Sequence, residues 1–259
     1  MLVEALVIFQ VVAMAALIVI GGLVEGYGYG LSLGTQWPYH KKMLTREALT
    51  DPEIWHRLLA TLLGLNAVAL LILAPGANTI AGLVLIAATA LLGVATLHVL
   101  AGKAPAFLHG LHGLVAYTTY ITYLVALQPM APPVWTYIAV IVPLHPFLLM
   151  IFLGGMVTGQ RGYQRPIGAF VLPGTLGQWV FMLHYLAGLL FLLTLAYYIQ
   201  AYSGALVLAL AQFVIGFLLY QAVNHSPKRP GILVAFHQGM ALLILLAIVF
   251  YWRIPLGWL

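Results

Sequence analysis

A chain of 259 residues in which 64% are hydrophobic and only 6% charged cannot cover a water-facing surface, because soluble domains carry about 25% charged residues. Its formal charge of +5 comes from a few Lys and Arg in short stretches between apolar runs, so nucleic acid is excluded as a partner. Cysteine is absent, which removes disulfides, thiolate ligands and cysteine nucleophiles.

Eight apolar runs follow one another, at roughly 2–24, 54–74, 79–100, 105–127, 134–157, 177–199, 203–223 and 232–252. Each is near the ~20 residues that carry a helix across a bilayer, and helices satisfy their own backbone groups in lipid. The alternation of a barrel strand is missing. The first run is too long for a cleavable leader and has Glu4 where a basic region should stand. The sequence therefore predicts an all-α, multi-pass protein of the cell membrane with eight transmembrane helices and the lipid bilayer as its solvent.

In chain order, Gly21-Gly22-Leu23-Val24 closes the first run. Tyr27, Tyr29, Trp37, Tyr39 and Trp55 then read as an interfacial aromatic belt, with a porphyrin-lining Trp37 as the minority reading. The second run opens with Asp51-Pro52-Glu53-Ile54-Trp55-His56-Arg57, where Pro52 and the acids suit a first helical turn. The i,i+3 spacing puts Glu53 on the His56 face. His98 ends the third run, and His109 and His112 open the fourth. The fifth holds His145 mid-span in Pro143-Leu144-His145-Pro146 and ends in Gly154-Gly155-Met156-Val157. His184 lies in the sixth run with Phe181 three residues before it, His225 ends the seventh, and His237 lies in the eighth.

These landmarks recur. His56 and His184 are 128 residues apart, His98 and His225 are 127, and His112 and His237 are 125. The offset predicts a duplicated four-helix unit, residues 1–128 and 129–259, with its boundary near Gln128–Pro133. Four helices per unit is an even number, so the halves share one orientation about an axis along the membrane normal.

A lone imidazole in a membrane helix commonly bonds a backbone carbonyl or a neighbouring helix. Four at matching repeat positions, each expected within two turns of one end of its helix, point instead to a shared ligand. His56 faces His112 in one half and His184 faces His237 in the other, the arrangement that grips a haem iron between two helices. Zinc or copper would want carboxylate or thiolate company, and Glu53 is the one acid close by. Phe181 occupies the position in the second half that Glu53 holds in the first. The asymmetry suggests one site for chemistry and one for an electron-carrying cofactor. His109, one turn before His112, remains an alternative ligand. His98 and His225 either bond haem propionates or anchor helix ends.

Gly21-Gly22-Leu23-Val24, Gly30-Leu31-Ser32, Trp37-Pro38 and Glu53-x-x-His56-Arg57 together resemble the N-terminal signature of the heme A synthase family. The likeness is most specific over Gly21–Arg57 and extends across the chain as a layout of eight spans and four histidines. It implies oxidation of the C8 methyl of haem O to a formyl, making haem A for terminal oxidases. It further implies Glu53 as catalytic acid, His56 and His112 as ligands of the substrate haem O, and His184 and His237 as ligands of a haem B cofactor. Arg57, His98, His225, Trp37 and Arg161 are candidate propionate or porphyrin contacts. An electron donor, haem O synthase and a second copy of the chain are candidate partners. The chain departs from the family in lacking the cysteine pair after the Gly-Leu-Ser turn, in carrying Glu25 where an arginine is usual, and in carrying Tyr185 after His184.

Nine of the ten Lys and Arg residues, all but Arg253, lie on the side of the loops that follow runs one, three, five and seven. The positive-inside rule puts that side in the cytoplasm. The resemblance puts it outside, where the basic residues would serve propionates. The other reading of the same pattern is a di-haem b-type cytochrome passing electrons from quinol, which has no need of an acid at only one site.

Overall fold

The computed structural model describes residues 1–45, 49–128, 130–162 and 164–254, and among these all regular structure is helical. The long elements are α1 (Leu2–Gly26), α2 (Pro52–Leu73), α3 (Ala77–Leu100), α4 (Phe107–Ala126), α5 (Val134–Val140), α6 (Leu144–Arg161), α7 (Leu176–Tyr197), α8 (Ile199–His225) and α9 (Leu233–Val249). A 3-10 turn, Lys41–Leu44, lies between α1 and α2.

Local chemistry explains where the site-bearing helices begin. Asp51 caps α2 by accepting from the Glu53 amide at 2.9 Å, with Pro52 at the first helical position. Thr175 caps α7 by accepting from the Gln178 amide at 3.2 Å. Gly162 ends α6 with φ of 54°, a left-handed conformation that favours glycine.

Helices α1, α2, α3, α7 and α8 are long and apolar enough to cross a membrane, or six spans if α5 and α6 count as one bent unit. The run 134–157 breaks between α5 and α6 with a bend of 104°. Pro143 sits in the break; it lacks an amide hydrogen and pushes the residue before it out of helical geometry. His145, expected mid-span, is exposed at this bend, its Nε2 2.9 Å from the Ile138 carbonyl. α9 is apolar but only 17 residues long. α4 carries a polar run whose Thr118, Thr119 and Thr122 hydroxyls donate to carbonyls four residues back. Tyr120, Ile121, Tyr123, Leu124 and Val125 are almost fully buried, so this helix meets protein where a span would meet lipid.

Neighbouring helices pack in order, α1 on α2 on α3 on α4 and α6 on α7 on α8 on α9, while α4 packs on α6 and α1 on α9. The centre is thus α1, α4, α6 and α9, with the other long helices outside. Two close crossings make this possible. A methyl carbon on Gly22 would lie 2.6 Å from the Ala235 Cα, and the Gly231 amide donates to the Gly26 carbonyl at 2.8 Å. At α6 and α4, a methyl on Gly155 would lie 2.8 Å from the His109 carbonyl oxygen, and one on Gly159 2.8 Å from that of Ala106. Each crossing is a Gly-x-x-x-Gly step, whose bare backbone lets helices approach without side chains between them.

Candidate functional site

Three of the four imidazoles are held alike. His56 Nδ1 lies 3.2 Å from the Leu17 carbonyl of α1, His112 Nδ1 3.1 Å from that of Thr89 in α3, and His184 Nδ1 2.9 Å from that of Met150 in α6. Since a carbonyl only accepts, each Nδ1 carries the hydrogen and donates. The neutral ring then keeps its lone pair on Nε2, the tautomer a metal-binding histidine needs.

Beside each ring is a glycine of the preceding helix. A methyl carbon on Gly21, Gly93, Gly154 or Gly216 would lie 3.3, 3.4, 3.1 or 3.4 Å from Cε1 of His56, His112, His184 or His237 respectively. His237 differs at its nitrogen: its buried Nδ1 has no hydrogen-bond partner. Gln212, a turn before Gly216, donates from Nε2 to the His237 carbonyl at 2.9 Å, and its own Oε1 has no hydrogen-bond partner.

His184 and His237 come together with ring centroids 6.5 Å apart and planes at 59°. Two imidazoles on opposite sides of one metal, with metal–nitrogen bonds of about 2.0–2.1 Å, place their centroids about 6.3 Å apart. The observed separation is close to that value. His56 and His112 lie within electrostatic range of each other. His109 also interacts with His112, but its backbone packs under Gly155 at the crossing with α6. His112 has a carbonyl and a glycine partner, as His56 and His184 do. His184 sits eight residues after the first residue of α7, deeper than the two turns expected, because α7 begins well before it at Leu176.

Glu53 is buried, and both its oxygens are engaged. Oε1 pairs with the Arg57 guanidinium, while Oε2 accepts from Ser32 Oγ at 2.7 Å and from the Leu33 amide at 3.3 Å. Arg57 also donates to the Gln36 carbonyl. The acid and its arginine thus fasten the Gly-Leu-Ser stretch to α2. Phe181, the corresponding residue of α7, stacks on Tyr220 at 5.0 Å and meets Phe170 edge-on at 6.2 Å. Tyr220 donates to the Gly168 carbonyl at 3.0 Å, so the stretch before α7 is fastened too, by aromatic rings.

The remaining candidates lie around this core. Arg161 is buried, 3.7 Å from Glu25, and donates to the carbonyls of Arg165 and Pro227. Glu25 also accepts from Thr158 Oγ1 at 2.7 Å. Glu25 of α1 is thereby partnered by Arg161 and Thr158 of α6. His98 and His225 stand in the last turns of α3 and α8, with His225 exposed. Trp37 and Trp55 are about half exposed, at 49% and 47%, as an interfacial belt requires.

Among the described residues, no three His, Cys, Asp or Glu side chains converge as ligands for a bare metal ion. Were a prosthetic iron bound, His184 and His237 are the imidazoles that would hold it. No protein-family model matches this chain, and no curated protein matches it by sequence.

The sequence reading missed the four ring-facing glycines, Gln212 and the Glu25–Arg161 pair. The two Gly-x-x-x-Gly steps were visible as spacing; which glycine of each Gly-Gly pair faces a ring was not.

Proposed function

We propose that the chain is a di-haem membrane oxidoreductase of the heme A synthase type, converting the C8 methyl of a bound haem O to a formyl. The observation that carries this reading is the His184–His237 pair at 6.5 Å, in a set of four imidazoles each against a glycine of the helix before it. The Gly-Leu-Ser, Trp-Pro and Glu-x-x-His-Arg resemblance supplies the reaction. The matching partners of His56 with His184 and of His112 with His237, and the paired α1–α9 and α6–α4 crossings, support two repeated four-helix halves.

In this reading His184 and His237 hold haem B, which supplies one-electron transfer when bound. His56 and His112 orient haem O as substrate. Counted with water as the oxygen donor, methyl to formyl releases four electrons, which an external electron acceptor must take up, and four protons, so the substrate site must also handle protons. Glu53, one turn before His56, is the residue for that task, and release from Arg57 or Ser32 frees an oxygen to accept one. Arg57 and Ser32 hold the carboxylate in place beside the ligand helix. The eight crossings of the bilayer belong to this reading as well, with α4 and α9 as protein-enclosed spans and α5–α6 as a bent one.

A second reading is favoured by one observation: Glu53 and Phe181 both fasten the stretch before their helix, so the acid has a structural task without chemistry. That would make the chain a di-haem b-type cytochrome carrying electrons from quinol. The deciding experiment is to express the full chain with and without haem O, extract the pigment and weigh the porphyrins. Haem B with haem O or haem A in the supplied sample is the expected result. Haem B alone under both conditions leaves the cytochrome reading, and no haem overturns both.

A further inference from the structure

The glycines beside the four imidazoles are separate from those at the helix crossings. Gly22, Gly26, Gly155 and Gly159 face backbone of another helix. A methyl at Gly93 or Gly216 would instead meet, within 4 Å and among the described residues, atoms of His112 or His237 alone. At Gly154 the three nearest atoms all belong to His184, and at Gly21 the two nearest belong to His56. Helix packing therefore gives no reason for these glycines. Each also weakens its helix, where alanine would be the better residue.

The carbonyl that anchors the ring lies at a constant distance along the chain from the glycine. Leu17 precedes Gly21 by four residues, Thr89 precedes Gly93 by four, and Met150 precedes Gly154 by four. Residues four apart lie one above the other on a helix face. Ring and helix thus meet at two stacked points, a carbonyl one turn earlier and a bare Cα beside Cε1.

We infer that Gly21, Gly93, Gly154 and Gly216 are positioning residues for the ligand imidazoles. Each gives a ring room to approach the neighbouring helix backbone; beside Gly21, Gly93 and Gly154 this lets Nδ1–H reach a carbonyl, which leaves Nε2 for iron. A methyl at 3.1–3.4 Å from Cε1 forces the ring to move by a few tenths of an ångström. That movement lengthens or bends the Nδ1–H bond, which sets both ring orientation and ligand basicity. At Gly216 the anchoring carbonyl is not engaged, so the glycine alone limits how close His237 stands to α8. The inference rests on the bis-imidazole reading, so its test needs one measurement made without haem.

The test uses the full chain with histidine labelled with ¹⁵N, and the variants Gly154→Ala, Gly216→Ala and, as control, Gly64→Ala, whose added methyl meets nothing within 4 Å. In the haem-free protein, His184 should be the Nδ1–H tautomer, and Gly154→Ala should shift its ring nitrogens while Gly64→Ala leaves them alone. In the haem-loaded protein, Gly154→Ala and Gly216→Ala should move the midpoint potential and the low-spin spectrum and lower haem retention severalfold, with thermal stability at or above wild type. Wild-type ring shifts in Gly154→Ala overturn the inference whether or not haem binds. Wild-type potential, spectrum and retention in both variants overturn it also. If Gly154→Ala does not fold, Gly216→Ala, with the looser 3.4 Å approach, decides. A wild-type chain that takes up no haem refutes the parent reading, and the nitrogen shifts then judge the glycines by themselves.

Discussion

Three residues before His56 stands Glu53, and three before His184 stands Phe181; each ties down the stretch preceding its own helix, one by charge and the other by ring stacking. The imidazoles themselves are treated alike in the two regions, with a carbonyl partner at Nδ1 and a glycine at Cε1. What differs is the chemistry beside them. A carboxylate with a guanidinium can exchange protons with a substrate, whereas Phe181 and Tyr220 make a tight apolar wall. A wall suits a cofactor that stays, and an acid suits a molecule that reacts.

The comparison breaks most sharply at the ligands. His184→Ala or His237→Ala should leave less than about a tenth of the wild-type haem, because one remaining axial imidazole holds iron weakly. A haemochrome assay on purified protein measures it. His56→Ala and His112→Ala should keep the resident haem and lose turnover; equal haem loss from either half would erase the proposed division of labour.

The next largest effect tests the acid. Glu53→Gln retains the shape that meets Ser32 and the Leu33 amide but cannot take up a proton as a carboxylate does. Conversion of haem O should fall by ~10²–10⁴-fold, the usual contribution of a general acid or base, with the haem B spectrum unchanged. Phe181→Leu should leave conversion at the wild-type rate. Normal haem A output from Glu53→Gln, measured by mass of extracted pigment, would reduce Glu53 to a fastening residue and favour the cytochrome.

Smaller effects sharpen the symmetry between the halves. Gly22→Ala and Gly155→Ala each force a methyl into backbone at 2.6–2.8 Å, so each should destabilise by about 1–3 kcal/mol, the usual range for overpacking. Thermal unfolding of the two variants should give similar losses. A loss confined to one would mean that the crossings are not equivalent. Smallest is Tyr220→Phe, which removes only the hydrogen bond to Gly168. It should cost about 0.5–1.5 kcal/mol, visible as faster proteolysis of the stretch between α6 and α7 with haem content intact.

Composition by itself determined that this chain lives among apolar surroundings as a bundle of helices, since so few charges leave nothing else for the backbone to do. Spacing along the chain singled out His56, His112, His184 and His237, because a repeat is a property of order and needs no fold to be seen. It could not tell a lipid-facing helix from an enclosed one. α4 and the 134–157 run were therefore read alike as spans, although residues 117–125 of the first are buried in protein and Pro143 divides the second. Nor could order along the chain say that Gly21 faces a ring while Gly22 faces a helix, or that Glu53 meets Ser32 across 21 residues. Those facts depend on how one helix rotates against the next. Only tertiary packing sets that rotation, since a turn of 3.6 residues places neighbours in sequence on different faces.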